Sequence, residues 1–100
     1  MSMSDLEFVW DPRKAKSNEE KHGVSFEEAK SVFLDDNALF QADPDHSDEE
    51  DRFLILGLSS ALRLLVVCHC YRESEDVIRL ISARKAAKRE GEQYARKVKR

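Results

Sequence analysis

Apolar and polar residues alternate from Leu6 to Trp10 and predict a short first strand, with residues 1–4 expected to fray before it. Asp11-Pro12 then opens a helix: the carboxylate caps orphan amides, and proline at the first helical position lacks a donor the helix would not use. This helix runs to about His22, where Gly23 can take the left-handed turn that ends it. Its best stripe, Ala15, Asn18, Glu19 and His22, is unusually polar for a packed face. Lys21 and His22 fall in its last turn, where the helix dipole alone suffices to explain cations. Ser25-Phe-Glu-Glu28 has the form of a capping box, and Phe26, Ala29, Val32 and Phe33 make the helix behind it a core element.

Asp35-Asp36-Asn37 ends that helix, and Ala38 to Ala42 predicts a short strand. Asp43 to Asp51 reads as a solvated loop with six acids in nine residues; it lacks the turn glycine of a calcium loop. Arg52 to Ser59 is a strongly apolar strand, and Ser60-Ala61 is expected to turn it tightly into a strand from Leu62. Period two puts Arg63, Leu65, Val67, His69 and Tyr71 on one face of that strand, with Leu64, Val66, Cys68, Cys70 and Arg72 on the other. After a polar turn, Val77 to Ala83 carries Ile78 and Leu80 on one side and Val77, Arg79 and Ile81 on the other, then delivers Arg84-Lys85. A last helix over Lys85 to Val98 has a thin stripe, Ala87, Gly91, Tyr94, Ala95 and Val98; Gly91 costs about 1 kcal/mol of helix propensity relative to alanine, so this end is expected to be loosely held. The pattern is that of an α+β fold in one domain over residues 1–100: a strand and two helices packed on a mainly antiparallel sheet, with a closing helix.

Length and cysteine usage narrow the class. One hundred residues suit a single domain with a modest core. Cys68 and Cys70, two apart on one strand, are poorly placed to bridge each other, and a reducing compartment fits best. The longest unbroken apolar run, Leu64 to Cys68, is far shorter than the ~20 residues of a membrane helix, so a soluble cytoplasmic protein without membrane contact is expected. The net charge of −3 conceals a division: residues 1–71 carry −8 and residues 72–100 carry +5. A basic tail on an acidic body fits a nucleic-acid surface, and equally a helix docked on an acidic partner.

Candidate chemistry gathers at one sheet end. The hairpin is expected to bring Arg52 beside Tyr71 or Arg72, and an imidazole, a phenol and several guanidiniums there suit the binding and cleavage of a phosphodiester. His69 has the pKa of an acid or base near neutrality, though a sheet histidine satisfied by hydrogen bonds accounts for it as well. Cys68-His69-Cys70 does not read as a metal site: the thiols face away from the imidazole, and no second ligand pair is present. Neither thiol reads as a nucleophile in such apolar surroundings.

The runs Phe8-Val-Trp-Asp-Pro-x-Lys14, Asn18-x-x-Lys21-His22-Gly23-Val24-Ser25-Phe26-Glu27-Glu28-Ala29, Asp43-Pro44-Asp45-His46-Ser47, Arg52-x4-Gly57 and Ile81-Ser82-Ala83-Arg84-Lys85-Ala86-x-Lys88-Arg89-Glu90 together resemble the BrnT-type toxin family over nearly the whole chain. The resemblance implies a small ribonuclease toxin of a type II toxin-antitoxin module with a RelE-like fold. Its partner would be a ribbon-helix-helix antitoxin of BrnA type, which masks it and with it represses their operon, so that operator DNA is touched only through the complex. It also implies cofactor-free and metal-independent RNA cleavage through 2′-hydroxyl attack. Arg52 and Arg84 are then expected to meet transition-state charge, with Arg72 and Arg79 as weaker candidates and His69 as acid or base. Tyr71 would stack on a base, and Lys21, His22, Lys85, Lys88 and Arg89 would line the RNA path. The rival reading is a non-catalytic nucleic-acid- or partner-binding module; a neighbouring gene for a ribbon-helix-helix protein favours the toxin.

Overall fold

The computed structural model describes residues 6–44, 51–72 and 74–99. Residues 1–4, most of the acidic loop and part of the polar turn before the last strand lie outside the described residues. The strands are β1 (Glu7–Val9), β2 (Leu39–Ala42), β3 (Phe53–Leu58), β4 (Leu64–Arg72) and β5 (Ser74–Lys85), in sheet order β1-β5-β4-β3-β2. β1 runs parallel to β5, and the other neighbours are antiparallel. The helices are α1 (Pro12–His22), α2 (Phe26–Ser31), which continues into a 3-10 turn over Val32–Leu34, and α3 (Lys88–Val98).

Both ends of α1 follow the sequence. The Asp11 carboxylate accepts from the Arg13 N–H at 2.9 Å, and Gly23 closes the helix at φ +69°. Asn18 accounts for the polar stripe. Its amide donates to the Ala83 carbonyl at 2.9 Å and the Val24 carbonyl at 3.0 Å, and its oxygen accepts from the Ala83 N–H at 3.0 Å. The side chain thus acts as a fragment of strand on the edge of β5 that β1 leaves uncovered, and satisfies backbone groups that burial would otherwise orphan.

The capping box of α2 is only half formed. Ser25 Oγ accepts from the Glu28 N–H at 3.1 Å, but the Glu28 carboxylate turns away to a two-pronged pair with Arg63 and a hydrogen bond from Ser59 Oγ at 2.7 Å. A bidentate guanidinium outbids a single neutral amide. The same pair explains the hairpin, which is wider than the two-residue turn expected. Leu58 pairs with Leu64, and residues 59–63 loop between them, closed by the Ser59 N–H to the Arg63 carbonyl at 2.8 Å, with Leu62 at φ +61°. β4 therefore begins two residues late, which preserves the predicted faces.

β5 is longer than predicted, and its register with β4 shifts twice, between Cys68 and His69 and between Tyr71 and Arg72. Cys68 pairs with Ser82 but His69 with Leu80, so Ile81 bulges out of register. Leu80 and Ala83, an odd number apart, consequently both reach the core. That core lies between the sheet and the α1–α2 layer: Phe26, Ala29 and Val32 pack with Ile55, Leu65, Val67, Ile78, Leu80 and Ala83.

α3 lies on the opposite face and starts at Lys88 instead of Lys85, because residues through Lys85 stay paired in β5. The Glu90 carboxylate accepts from the Ala87 N–H at 2.7 Å and so caps it. No residue of α3 is buried. Polar ties hold the helix: Arg84 to Glu90, Tyr94 Oη to Asp35 at 2.6 Å, and Lys97 Nζ to the Ala38 carbonyl at 2.9 Å.

Candidate nucleic-acid interface

Strand parity decides which predicted residues meet. Phe53 and Tyr71 put their rings 6.1 and 5.6 Å from the His69 ring, on the α2 side of the sheet. Arg52, one residue before Phe53, belongs to the other side, and the observed register brings it level with Cys70 instead of Tyr71 or Arg72. On that side Cys70 pairs with Arg79 and Val66 with Arg84. The sheet thus separates the expected cluster into an aromatic group around His69 and a set of arginines.

The arginine side is covered by α3 only toward β2 and β3, where Glu90 and Gln93 meet Leu39, Gln41, Leu54, Leu56 and Val66 around a cavity of about 40 Å³. Toward β1 it is open. There Arg72 and Arg79 line a hollow of about 430 Å³ with Glu7, Val9, Trp10, Asp11 and Val77. Neither arginine makes an ion pair among the described residues. Arg84 differs: its guanidinium grips Glu90 through two 2.8 Å bonds, and the pairing holds the Glu90 carboxyl below its ordinary range. Arg52 is half-buried, and its charge acts on the Cys68 thiol.

The same side carries both cysteines. Burial, reinforced by Asp43 with its carboxylate 3.6 Å from Sγ, pushes the Cys68 thiol up to about 11. It is protonated near neutrality and inert as a nucleophile.

A protein-family model described as the ribonuclease toxin BrnT of the type II toxin-antitoxin system matches residues 10–90. The chain belongs to this BrnT family. The fold agrees: the chain is similar to the crystal structure of the Brucella abortus ribonuclease toxin BrnT, with a TM-score of 0.64 and 21% identity over 83% of this chain and 99% of that one. Among curated proteins none matches the sequence significantly.

For a BrnT-family chain the remaining expected residues fall in four places. His69 is fully buried, ringed by Phe33, Phe40, Phe53 and Tyr71, with Nδ1 3.3 Å from the Val67 carbonyl. Desolvation lowers its pKa, and Nε2 has no partner among the described residues, so it is a neutral core imidazole without solvent contact. Its even neighbours face the arginines, and period two therefore turns His69 away from them. Tyr71 is 40% exposed but stands with His69. Lys21 and His22 border a second hollow of about 210 Å³ with Lys14, Ser17, Asn18, Ile81 and Ser82, beside α1. Lys85 pairs with Leu65 and acts electrostatically on Glu28, away from Arg79, while Lys88 and Arg89 are exposed on the first turn of α3. Sequence reasoning did not place Glu7 and Trp10 at the arginines. The signal was the parallel pairing of β1 with β5, which hydropathy does not specify.

Proposed function

We propose that this chain is an endoribonuclease toxin of RelE-like type, a single cytoplasmic domain that cleaves RNA, inhibits growth and is masked by a ribbon-helix-helix antitoxin. The observation that carries the reading is the Arg72–Arg79 couple on an open sheet face, without an ion pair among the described residues, with Arg52 and Arg84 on the same side. Guanidiniums in a fixed fork are suited to phosphate, and cations aimed at it stabilise the charge that grows there in the transition state.

In the proposed reaction a 2′-hydroxyl oxygen bonds to the adjacent phosphorus while the bond to the 5′-oxygen breaks. The 2′ proton leaves to a base, and the departing 5′-oxygen gains one. Arg72 and Arg79 hold the phosphate, Arg52 flanks it, and Arg84 reaches it from its station beside Glu90. Lys88 and Arg89, with Lys21 and His22 farther out, extend the cationic path for the strand. His69 is left out of the chemistry, since no solvent reaches it. Operator contact belongs to the antitoxin of BrnA type, within a complex that represses their operon.

Controlled expression of this chain alone in a bacterial host, with growth and total RNA followed together, tests the reading. Growth arrest with fragmented RNA, relieved by the neighbouring gene product, supports it. Normal growth and intact RNA from well-expressed protein would favour a non-catalytic binding module.

A further inference from the structure

We infer that the hollow between β1 and β5 is a nucleotide subsite that reads guanine, an inference that rests on the ribonuclease reading above. Its volume of about 430 Å³ lies within the ~300–1,000 Å³ typical of small-molecule sites. The parallel register sets Glu7 beside Val77 and Val9 beside Arg79, so a carboxylate and a guanidinium stand two residues apart along one face. Val9 and Val77 line the hollow with apolar surface, Trp10 borders it while packing edge-on against Phe26, and Arg72 adds the second cation.

Unpaired RNA bases are recognised by stacking on aromatic rings and by hydrogen bonds on their Watson–Crick edges. An ionised carboxylate only accepts hydrogen bonds. Guanine presents two adjacent donors on that edge, N1–H and the exocyclic amine, which match the two carboxylate oxygens. Adenine and cytosine place an acceptor nitrogen beside their single amine, and uracil sets its N–H between two carbonyls; each would meet the carboxylate with a repulsive lone pair. Glu7 is exposed and makes no ion pair among the described residues, whereas one oxygen of Asp11 is already committed to capping α1. Glu7 is thus the base reader, and Arg72 with Arg79 holds the phosphate of the same nucleotide.

Trp10 is the chain's single tryptophan and borders the hollow, so its fluorescence is a probe of occupancy there. The purified full chain is titrated with the 3′-monophosphates of guanosine, adenosine, cytidine and uridine. The expected result is a saturable change with the guanosine compound at an affinity about tenfold or more above the others. Glu7→Gln should erase that preference while leaving a response to all four, and Arg79→Ala should weaken all four alike. No fluorescence change with any nucleotide, an equal response to all four, or a guanine preference that survives Glu7→Gln would each overturn the inference. The same preparation is assayed on total RNA. Cleavage without a nucleotide response removes the subsite and leaves the ribonuclease; a guanine-selective response without cleavage does the reverse.

Discussion

Arg84 and Glu90 form a parallel two-pronged ion pair, Nη1 to Oε1 and Nη2 to Oε2 both at 2.8 Å, and this pair joins the end of β5 to the first turn of α3. The pair gives Arg84 an anchoring duty, and the proposed reaction would give it a second that mutation can separate from the first. Arg84→Ala should lower RNA cleavage by about 100-fold or more if its charge reaches the transition state. Glu90→Gln removes the two-pronged ion pair, leaving one acceptor oxygen at most, but keeps the guanidinium on the face, so cleavage should survive it. Equal loss in both variants would assign Arg84 to anchoring alone; single-turnover cleavage rates decide between them.

Asn18→Ala should be among the most damaging changes outside the apolar core. It strands the Ala83 N–H together with the Ala83 and Val24 carbonyls, for an expected loss of about 2–4 kcal/mol. Urea unfolding, with an unchanged slope, measures this directly.

His69 makes stability depend on pH in a defined direction. Burial lowers its folded pKa from the ordinary 6.5, so the unfolded chain takes up a proton that the folded chain refuses. Its contribution is complete above about pH 6.5 and falls as pH drops below that, by at most about 1.4 kcal/mol per unit. His69→Phe should flatten this limb between pH 5 and 6.5 in thermal melts. A slope unchanged by the substitution would count against a neutral core imidazole.

Leu62 holds a left-handed conformation at φ +61° while 79% exposed, so its side chain is strained and contributes little packing. Leu62→Gly should stabilise the fold by about 0.5–1 kcal/mol, even though glycine loosens the unfolded chain. A lower melting temperature would show that Leu62 packs against something in solution.

Much of the architecture was legible because short-range chemistry specifies it. Asp11, Pro12 and Gly23 mark α1 to the residue, and alternation in β4 gives its faces correctly despite a misjudged turn. Long-range choices were not legible. Glu28 could have capped its own helix, and only folding brings Arg63 to it. The bulge at Ile81 depends on the register of two strands, and no local pattern announces it. The site suffers for the same reason: Arg52 and Arg84 were expected with His69 and Tyr71 at the sheet end, but a face is shared only by residues of matching parity. That rule separates His69 and Tyr71 from the arginines and admits Glu7 and Val9 instead, while Trp10, just past the end of β1, only borders the hollow.

α3 rests on the sheet without a single buried side chain. Its attachment therefore leans on charge and hydrogen bonding beside the apolar sheet residues it covers, and the ionic part weakens with ionic strength far more than the apolar core does. Amide hydrogens of residues 88–98 should exchange with deuterium through a local opening that leaves β3, β4 and β5 protected, and added salt should quicken that exchange ahead of any change in global unfolding. The last eleven-residue helix is thus a separately melting unit, whose detachment would lay bare Leu39, Leu54, Leu56 and Val66 while the rest of the molecule stays folded.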